Sequence, residues 1–235
     1  VAQWHDWDMR HICLFVPVGN AGNITAIMNG FLKMHALGII ASLPRLFGVQ
    51  STHADPVFRY YEESDPAKRR FEPVAVTPSV AQAAMIGNPV SFPRVRYLAE
   101  KFKEIGGEEA FQVVHVEEQD IMDAMLLANR HGHISCTQGG ECLAGLRLAV
   151  AQGRIAKDER AVLDATAHSL KFSGFQDMYF SDSFPPAYEI TPRKEYMNKP
   201  ELVVSPAEKQ TLNEQEFTIH VANVIAKRLN LQSKK

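Results

Sequence analysis

The sequence predicts an α/β fold in which a mostly parallel sheet is flanked by helices. Short apolar runs of the kind found in buried strands alternate along the chain with segments of helical period. The first such run, residues 12–18, ends in a glycine-rich turn and passes directly into a helical period. A strand, a tight turn and a helix in this order are typical of the repeating unit of a parallel sheet.

The same alternation predicts the order of the elements. The predicted strands are residues 12–18, 43–50, 111–116, 133–136 and 160–166. Helices are predicted to follow them, with starts near residues 23, 56, 77, 120 and 141, and an amphipathic helix is predicted over 217–229. The helix from residue 77 consists of small residues and is predicted to end at Gly87-Asn88-Pro89. Because the composition changes after Ser181, the chain is divided into a region of residues 1–180 and a C-terminal extension, 181–235.

Composition argues against several classes of function. The 235 residues have a formal net charge of −2, which favours neither nucleic acid nor an anionic membrane surface as a partner. No apolar run is long enough to span a membrane. Cys13, Cys136 and Cys142 lack the spacing of a metal site, so buried thiols in a reducing cytoplasm are expected and no metal is predicted.

The turn after the first predicted strand is the strongest candidate site. Residues 17–23 read Pro-Val-Gly-Asn-Ala-Gly-Asn and lead into a helix. Free backbone N–H groups and the helix dipole make such a point suitable for a phosphate group. The spacing matches neither a dinucleotide-binding fingerprint nor a P-loop. From the spacing alone, a tight turn without a ligand is about as well supported as a phosphate site.

Three stretches resemble the threonine synthase family. They are the turn at 17–23, Ala-Met-Ile-Gly-Asn-Pro-Val-Ser-Phe-Pro-Arg-Val at 84–95, and Asp-Ala-Thr-Ala-His-Ser-Leu-Lys-Phe at 164–172. The resemblance covers roughly residues 1–172. It implies the tryptophan-synthase-β-like fold (fold type II) and pyridoxal 5'-phosphate as cofactor. It also implies a lyase of threonine biosynthesis that converts O-phospho-L-homoserine and water to L-threonine and phosphate. A cytoplasmic location is the default expectation from the sequence, which shows no signal-peptide pattern at its start.

The resemblance also implies which residues hold the cofactor. It places five residues of the glycine-rich turn around the cofactor phosphate, namely Gly19, Asn20, Ala21, Gly22 and Asn23. It places Thr166 beside the pyridine nitrogen, although an ordinary hydroxyl at the end of a strand remains an alternative reading. Two other functions also remain open, namely a threonine or serine dehydratase and a non-catalytic relative that binds a phosphorylated ligand.

No lysine of this chain matches the segment in which the family carries its catalytic lysine. Lys171 matches a different Leu-Lys pair of the family, so no catalytic residue is named, and His168 is assigned a structural role. The chain begins at Val1 with only a short helix-like segment before the first strand. We therefore expect an N-terminal portion of the protein to precede it. Either that portion or a second copy of the chain is expected to pair with an exposed apolar face.

Overall fold

A computed structural model describes residues 1–197 and 202–231. In this part of the chain, a four-stranded sheet has the strand order β3-β2-β1-β4, and each neighbouring pair is parallel. The strands are β1 (Ile12–Pro17), β2 (Arg45–Ser51), β3 (Phe111–Val116) and β4 (Arg160–Leu163). The helices are α1 (Gly22–Ala36), α2 (Pro56–Glu62), α3 (Phe92–Gly106), α4 (Glu118–Arg130), α5 (Thr137–Ala151), α6 (Ser173–Ser181), α7 (Pro206–Thr211) and α8 (Glu214–Arg228). The predicted fold class, a parallel sheet flanked by helices, is confirmed.

Helices cover both faces of the sheet because β1 is apolar on both sides and is buried along its whole length. On one face, Leu14 and Val16 belong to a buried cluster with Met28 of α1. On the other face, Phe15 belongs to a cluster with Met122 of α4. Each such fully buried side chain contributes about 1.5–3 kcal/mol of hydrophobic stabilisation. This central position holds the turn that follows β1 at a fixed place on the sheet.

The helix predicted from residue 77 is wrong. The structure has only one 3-10 turn there, Gln82–Ala84. The backbone N–H groups of this segment bond to tertiary partners instead of a helical ladder. Thr77 donates to the His53 carbonyl at 3.1 Å, and Val80 donates to the Glu118 carboxylate at 2.6 Å. The Gln82 and Ala83 N–H groups, which a helix would direct to carbonyls four residues earlier, donate instead to the Gln138 side chain.

The strand predicted at 133–136 is also wrong, since only an isolated bridge joins Ser135 to His168. The Ser135 N–H donates to the Asn129 side chain at 2.8 Å, so no ladder can form at that position. The last predicted strand is too long, because β4 ends at Leu163 and Thr166 has a left-handed φ of 52°. A left-handed residue cannot continue a strand.

Two other sequence expectations, the C-terminal helix and the buried thiols, agree with the structure. The predicted C-terminal helix is present as α8. All three cysteines are free and buried. By contacts, the chain forms two compact units, residues 1–197 and 198–235, and the proposed boundary after residue 180 stays a prediction. Within the described residues, no helix is both long enough and apolar enough to cross a bilayer.

Candidate functional site

Two turns meet at the carboxyl edge of the sheet. The first turn, residues 17–23, follows β1, and the second turn, residues 164–167, follows β4. Since β1 and β4 are parallel neighbours, their carboxyl ends lie side by side. Residues of both turns line one cavity of about 320 Å³. We call it the edge cavity, and it lies where parallel α/β sheets bind ligands.

The first turn presents unused backbone donors. Helix α1 begins at Gly22, directly after Ala21, which has a left-handed φ of 63°. The first intrahelical bond runs from the Thr25 N–H to the Ala21 carbonyl at 3.3 Å. The N–H groups of Gly22, Asn23 and Ile24 therefore have no acceptor one turn earlier in the helix. The first turn of α1 itself contains no acidic residue, and the positive end of the helix dipole lies at these N–H groups.

Gly19 lets the first turn lie close to Ala83 and Ala84. A β-carbon at Gly19 would lie 2.8 Å from the Ala84 Cα and 3.1 Å from the Ala83 carbonyl oxygen. The side chain of Asn20 accepts a hydrogen bond from the Val90 N–H at 2.9 Å. The first turn and residues 83–90 are therefore held together by a close contact and by a hydrogen bond.

The second turn presents the hydroxyl of Thr166. The Thr166 N–H donates to the Asp164 carboxylate at 3.0 Å, and its Oγ1 lies 3.4 Å from the Cys136 Sγ. Cys136, directly before α5, also donates its N–H to the Ala167 carbonyl at 3.1 Å. Thr166 is exposed and lines the edge cavity. A neutral hydroxyl is thus held at the cavity by contacts from β4 and from the start of α5.

Three further parts of the chain line the edge cavity and were not among the predicted site residues. They are Ala83 and Ala84, Gln138, and Lys171. With its amide oxygen turned towards the 3-10 turn, Gln138 accepts hydrogen bonds from the Ala83 N–H at 3.0 Å and the Gln82 N–H at 3.3 Å. The resemblance at 84–95 pointed to the neighbourhood of Ala84. No local pattern marked Gln138, because its position depends on how α5 packs.

His168 lies next to the cavity but serves the local backbone. Its Nδ1 accepts a hydrogen bond from the Leu170 N–H at 3.1 Å. This bond caps the short 3-10 helix Ser169–Phe172, which carries Lys171. The exposed Lys171 side chain therefore brings a positive charge to the cavity from an anchored turn.

A buried carboxyl group lies on α5, near Glu118 and Cys136. Glu141 of α5 is fully buried, and neither of its carboxyl oxygens has a hydrogen-bond partner among the described residues. Burial raises the pKa of Glu141 well above its ordinary value, and the nearby Glu118 charge raises it further. Burial therefore favours the protonated form of the Glu141 carboxyl, on the same helix that carries Gln138.

The donors at the first turn fit a phosphate group. A dianion gains from several N–H groups that converge at a helix N-terminus, and Gly22 has open space where a β-carbon would be. A cavity of this size is at the lower end of the range for small-molecule sites. The hydroxyl of Thr166 gives the same cavity a neutral hydrogen-bonding group for the rest of a phosphorylated ligand.

Comparison with known proteins decides the family. The model of the family described as pyridoxal-phosphate dependent enzyme matches residues 3–166. The chain belongs to this family of pyridoxal-phosphate dependent enzymes. The matched region includes all of the first turn and Thr166, and the cofactor of the family, pyridoxal 5'-phosphate, carries the phosphate group that the first turn fits.

Within the pyridoxal-phosphate family, the chain is 34% identical to threonine synthase 2, chloroplastic, from Arabidopsis thaliana. The alignment spans 181 residues, which are 77% of this chain and 33% of that protein. The chain spans about a third of the length of the curated relatives it matches. Among solved structures, threonine synthase from Escherichia coli superposes with a TM-score of 0.54 at 22% identity, covering 71% of this chain and 35% of the other. The processed form of threonine deaminase isoform 2 from Solanum lycopersicum superposes with a TM-score of 0.53 at 18% identity. This superposition covers 72% of this chain and 43% of the other. These two superpositions show the shared fold.

Proposed function

We propose that this chain forms the cofactor-binding wall of a threonine synthase active site. The reaction converts O-phospho-L-homoserine and water to L-threonine and phosphate. The observation that carries the proposal is that the first turn and Thr166 line one cavity. The choice of threonine synthase within the family is supported by relatives of that name at 34–35% identity.

The first turn would hold the cofactor phosphate. The backbone N–H groups of Gly22, Asn23 and Ile24 would donate to its oxygens, and the dipole of α1 would stabilise its charge. Lys171 lines the same cavity and would add a positive charge. These groups bind and orient the cofactor, and they take no part in breaking covalent bonds.

Thr166 would contact the pyridine nitrogen. When bound, pyridoxal phosphate supplies the electron sink that such reactions need. The Thr166 hydroxyl is neutral at pH 7, so it can share a hydrogen bond with the ring nitrogen but cannot hold that nitrogen protonated as a carboxylate would. Thr166 therefore moderates the electron sink and orients the ring.

The lysine that binds the cofactor covalently is proposed to lie outside this chain. Lys171 is the lysine to test, because it lines the cavity although it matches a different family segment. Borohydride reduction of this chain with pyridoxal phosphate, followed by mass spectrometry, is expected to give only scattered, substoichiometric labelling. A stoichiometric adduct at Lys171 would overturn this assignment and identify Lys171 as the covalent lysine.

The rest of the active site is proposed to come from another segment of the same protein or from a second copy, in the cytoplasm. Strand β4 forms one edge of the described sheet, and apolar grooves of about 680 and 610 Å³ border it. Trp4, which is 80% exposed, lines both grooves. Apolar surface of this extent is typical of a face that packs against further protein.

Product analysis tests the proposed reaction. The protein that carries this chain is incubated with O-phospho-L-homoserine and pyridoxal phosphate, and amino acids and phosphate are quantified over time. Threonine and phosphate in equal amounts are expected. A parallel incubation supplies threonine or serine in place of O-phospho-L-homoserine. Formation of a 2-oxo acid and ammonia there, without threonine synthesis in the first incubation, would instead identify a dehydratase.

A further inference from the structure

Asp164 touches both turns of the edge cavity. Its Oδ1 accepts the Thr166 N–H at 3.0 Å, and its Oδ2 accepts a hydrogen bond from the Asn23 Nδ2. Its own N–H donates to the Phe15 carbonyl at 3.0 Å, which continues the pairing of β1 with β4. One half-buried carboxylate at the end of β4 is thus bonded to the first turn of α1 and to the second turn.

We propose that Asp164 is a positioning residue that joins the phosphate-binding turn to the hydroxyl-bearing turn. This inference rests on the proposed cofactor site and adds a residue that the resemblance does not assign. Asp164 acts through two separate contacts, one to Asn23 and one to Thr166, and each has a distinct physical consequence.

The contact to Asn23 preorganises the phosphate site. Asn23 is exposed in the first turn of α1, where its side chain could otherwise adopt several rotamers. The amide nitrogen carries two hydrogens, so one can bond to Asp164 while the other remains available to an anion. Fixing the side chain before binding removes part of the entropy cost of ordering it in the complex.

The contact to Thr166 fixes the orientation of the hydroxyl. A β-branched residue with a φ of 52° is in a strained region of backbone space, and such conformations persist only where the surroundings hold them. The hydrogen bond from the Thr166 N–H to Asp164 helps to stabilise this backbone conformation. Without it, the turn can relax and carry the hydroxyl away from its place in the cavity.

Asn23 and Asp164 also lie between the edge cavity and the apolar groove beside β4. Asn23 lines both the edge cavity and the apolar groove beside β4. Asp164 lines that groove, and Thr166 lines the edge cavity. The Asn23–Asp164 hydrogen bond therefore forms part of the wall between them, and removing it would open the phosphate site to additional water.

Charge and position make opposite predictions for Asp164. A negative charge near a phosphate site repels the ligand, so its removal would strengthen binding if Asp164 acted only through its charge. If Asp164 positions Asn23 and Thr166, its removal weakens binding. Replacement by alanine therefore separates a positioning role from a purely electrostatic one by the sign of the effect.

The experiment measures binding by calorimetry, with the full chain and two probes. Inorganic phosphate reports on the first turn alone, and pyridoxine 5'-phosphate reports on both turns but lacks the aldehyde that reacts with lysines. We expect Asp164→Ala to weaken pyridoxine 5'-phosphate binding about tenfold and phosphate binding about threefold, as expected for the loss of one or two hydrogen-bonded supports. Asp158→Ala is the matched control, because it removes the same charge from an exposed residue that pairs with His11.

A double-mutant cycle tests whether Asp164 affects phosphate binding through Asn23. If Asp164 acts on phosphate through Asn23, adding Asp164→Ala to Asn23→Ala should change phosphate affinity by less than about twofold. Asp164→Asn keeps one acceptor oxygen and is expected to show an intermediate loss of about threefold for pyridoxine 5'-phosphate. It also serves as the test variant if the thermal unfolding of Asp164→Ala shows a loss of folding.

The outcomes separate this inference from the proposed function. Unchanged or stronger binding by Asp164→Ala, or additive effects in the cycle, would overturn the positioning role. A wild-type chain that binds neither probe would overturn both the cavity assignment and this inference. Binding that depends on Asp164, in a protein that makes no threonine, would refute the proposed reaction and leave the role of Asp164 standing.

Discussion

The two turns of the edge cavity both contain a non-glycine residue in the left-handed region, yet they are supported differently. In the first turn, Ala21 has a φ of 63° and is followed at once by the fifteen-residue helix α1. In the second turn, Thr166 has a φ of 52°, and no long helix follows. The first turn is fixed by continuous secondary structure, and the second by side-chain contacts from Asp164 and Cys136.

This difference matches what each turn can offer a ligand. Backbone N–H groups at the start of a helix are donors whatever the side chains are, so the first turn suits an anion that needs several donors. A single hydroxyl is useful only in one orientation, so the second turn depends on the residues that hold it. Changes at the first turn should therefore alter binding, and changes around the second should alter orientation and rate.

The largest expected effect concerns α5, the helix that begins beside the second turn at Cys136. Glu141 has a raised pKa, so between its ordinary value of 4.5 and that higher pKa the folded chain retains a proton that the unfolded chain releases. Stability therefore falls as the pH rises through this window, by up to about 1.4 kcal/mol per pH unit. In Glu141→Gln this fall should be absent, as measured by chemical unfolding at pH 5, 6, 7 and 8.

The exposed Glu72 supplies the control for this pH series. Glu72→Gln should follow the wild-type pH dependence, because the exposed side chain is not removed from water on folding. Parallel curves for wild type and Glu141→Gln would mean that Glu141 ionises freely in the folded protein.

Adding one methyl group at Gly19 should disturb the first turn. In Gly19→Ala the new β-carbon would lie 2.8 Å from the Ala84 Cα, and backbone there cannot move aside as a flexible side chain could. We expect a loss of about 1–3 kcal/mol in the free energy of unfolding, typical of overpacking. Gly22→Ala is the matched control, since nothing lies within 4 Å of its β-carbon. Equal stability of the two variants would show that the contact at Gly19 is not tight.

Placing a carboxylate in the first turn tests anion binding directly. Gly22→Asp should fold, because there is open space at this position, but its charge would lie beside the ligand phosphate. We expect the Kd for pyridoxine 5'-phosphate to rise tenfold or more, an effect of about 1.4 kcal/mol or larger. Gly22→Asn, of similar size and without charge, should lose much less. Undiminished binding by Gly22→Asp would remove the first turn from the phosphate site.

The smallest effect on binding is expected at Thr166. Thr166→Val keeps the shape and removes the hydroxyl, so affinity for pyridoxine 5'-phosphate should change by less than about threefold. Turnover by the protein that carries the chain should fall about tenfold, because the proposed hydrogen bond to the ring nitrogen would be lost. Thr166→Ser should retain most of the activity. A Thr166→Val enzyme with wild-type turnover would show that the hydroxyl does not contact the ring.

The sequence by itself determined β1, the first turn and α1. Apolar residues from Ile12 to Pro17, two glycines and the helical period that follows are local features, and local features suffice where strand, turn and helix are consecutive. It also predicted β3 over Phe111–Val116, the range found in the structure. The resemblance, which rests on short motifs, predicted the family and pointed to Thr166.

Only the tertiary structure decided how the second turn and the far wall of the cavity are built. Residues 77–86 form only one 3-10 turn because the Gln138 side chain takes the N–H groups of Gln82 and Ala83, and no local pattern encodes that distant partner. Gln138 and Lys171 reach the cavity through the packing of elements more than a hundred residues from the first turn. Asp164 joins the two turns for the same reason, because strands far apart in sequence are neighbours only once the parallel sheet has formed.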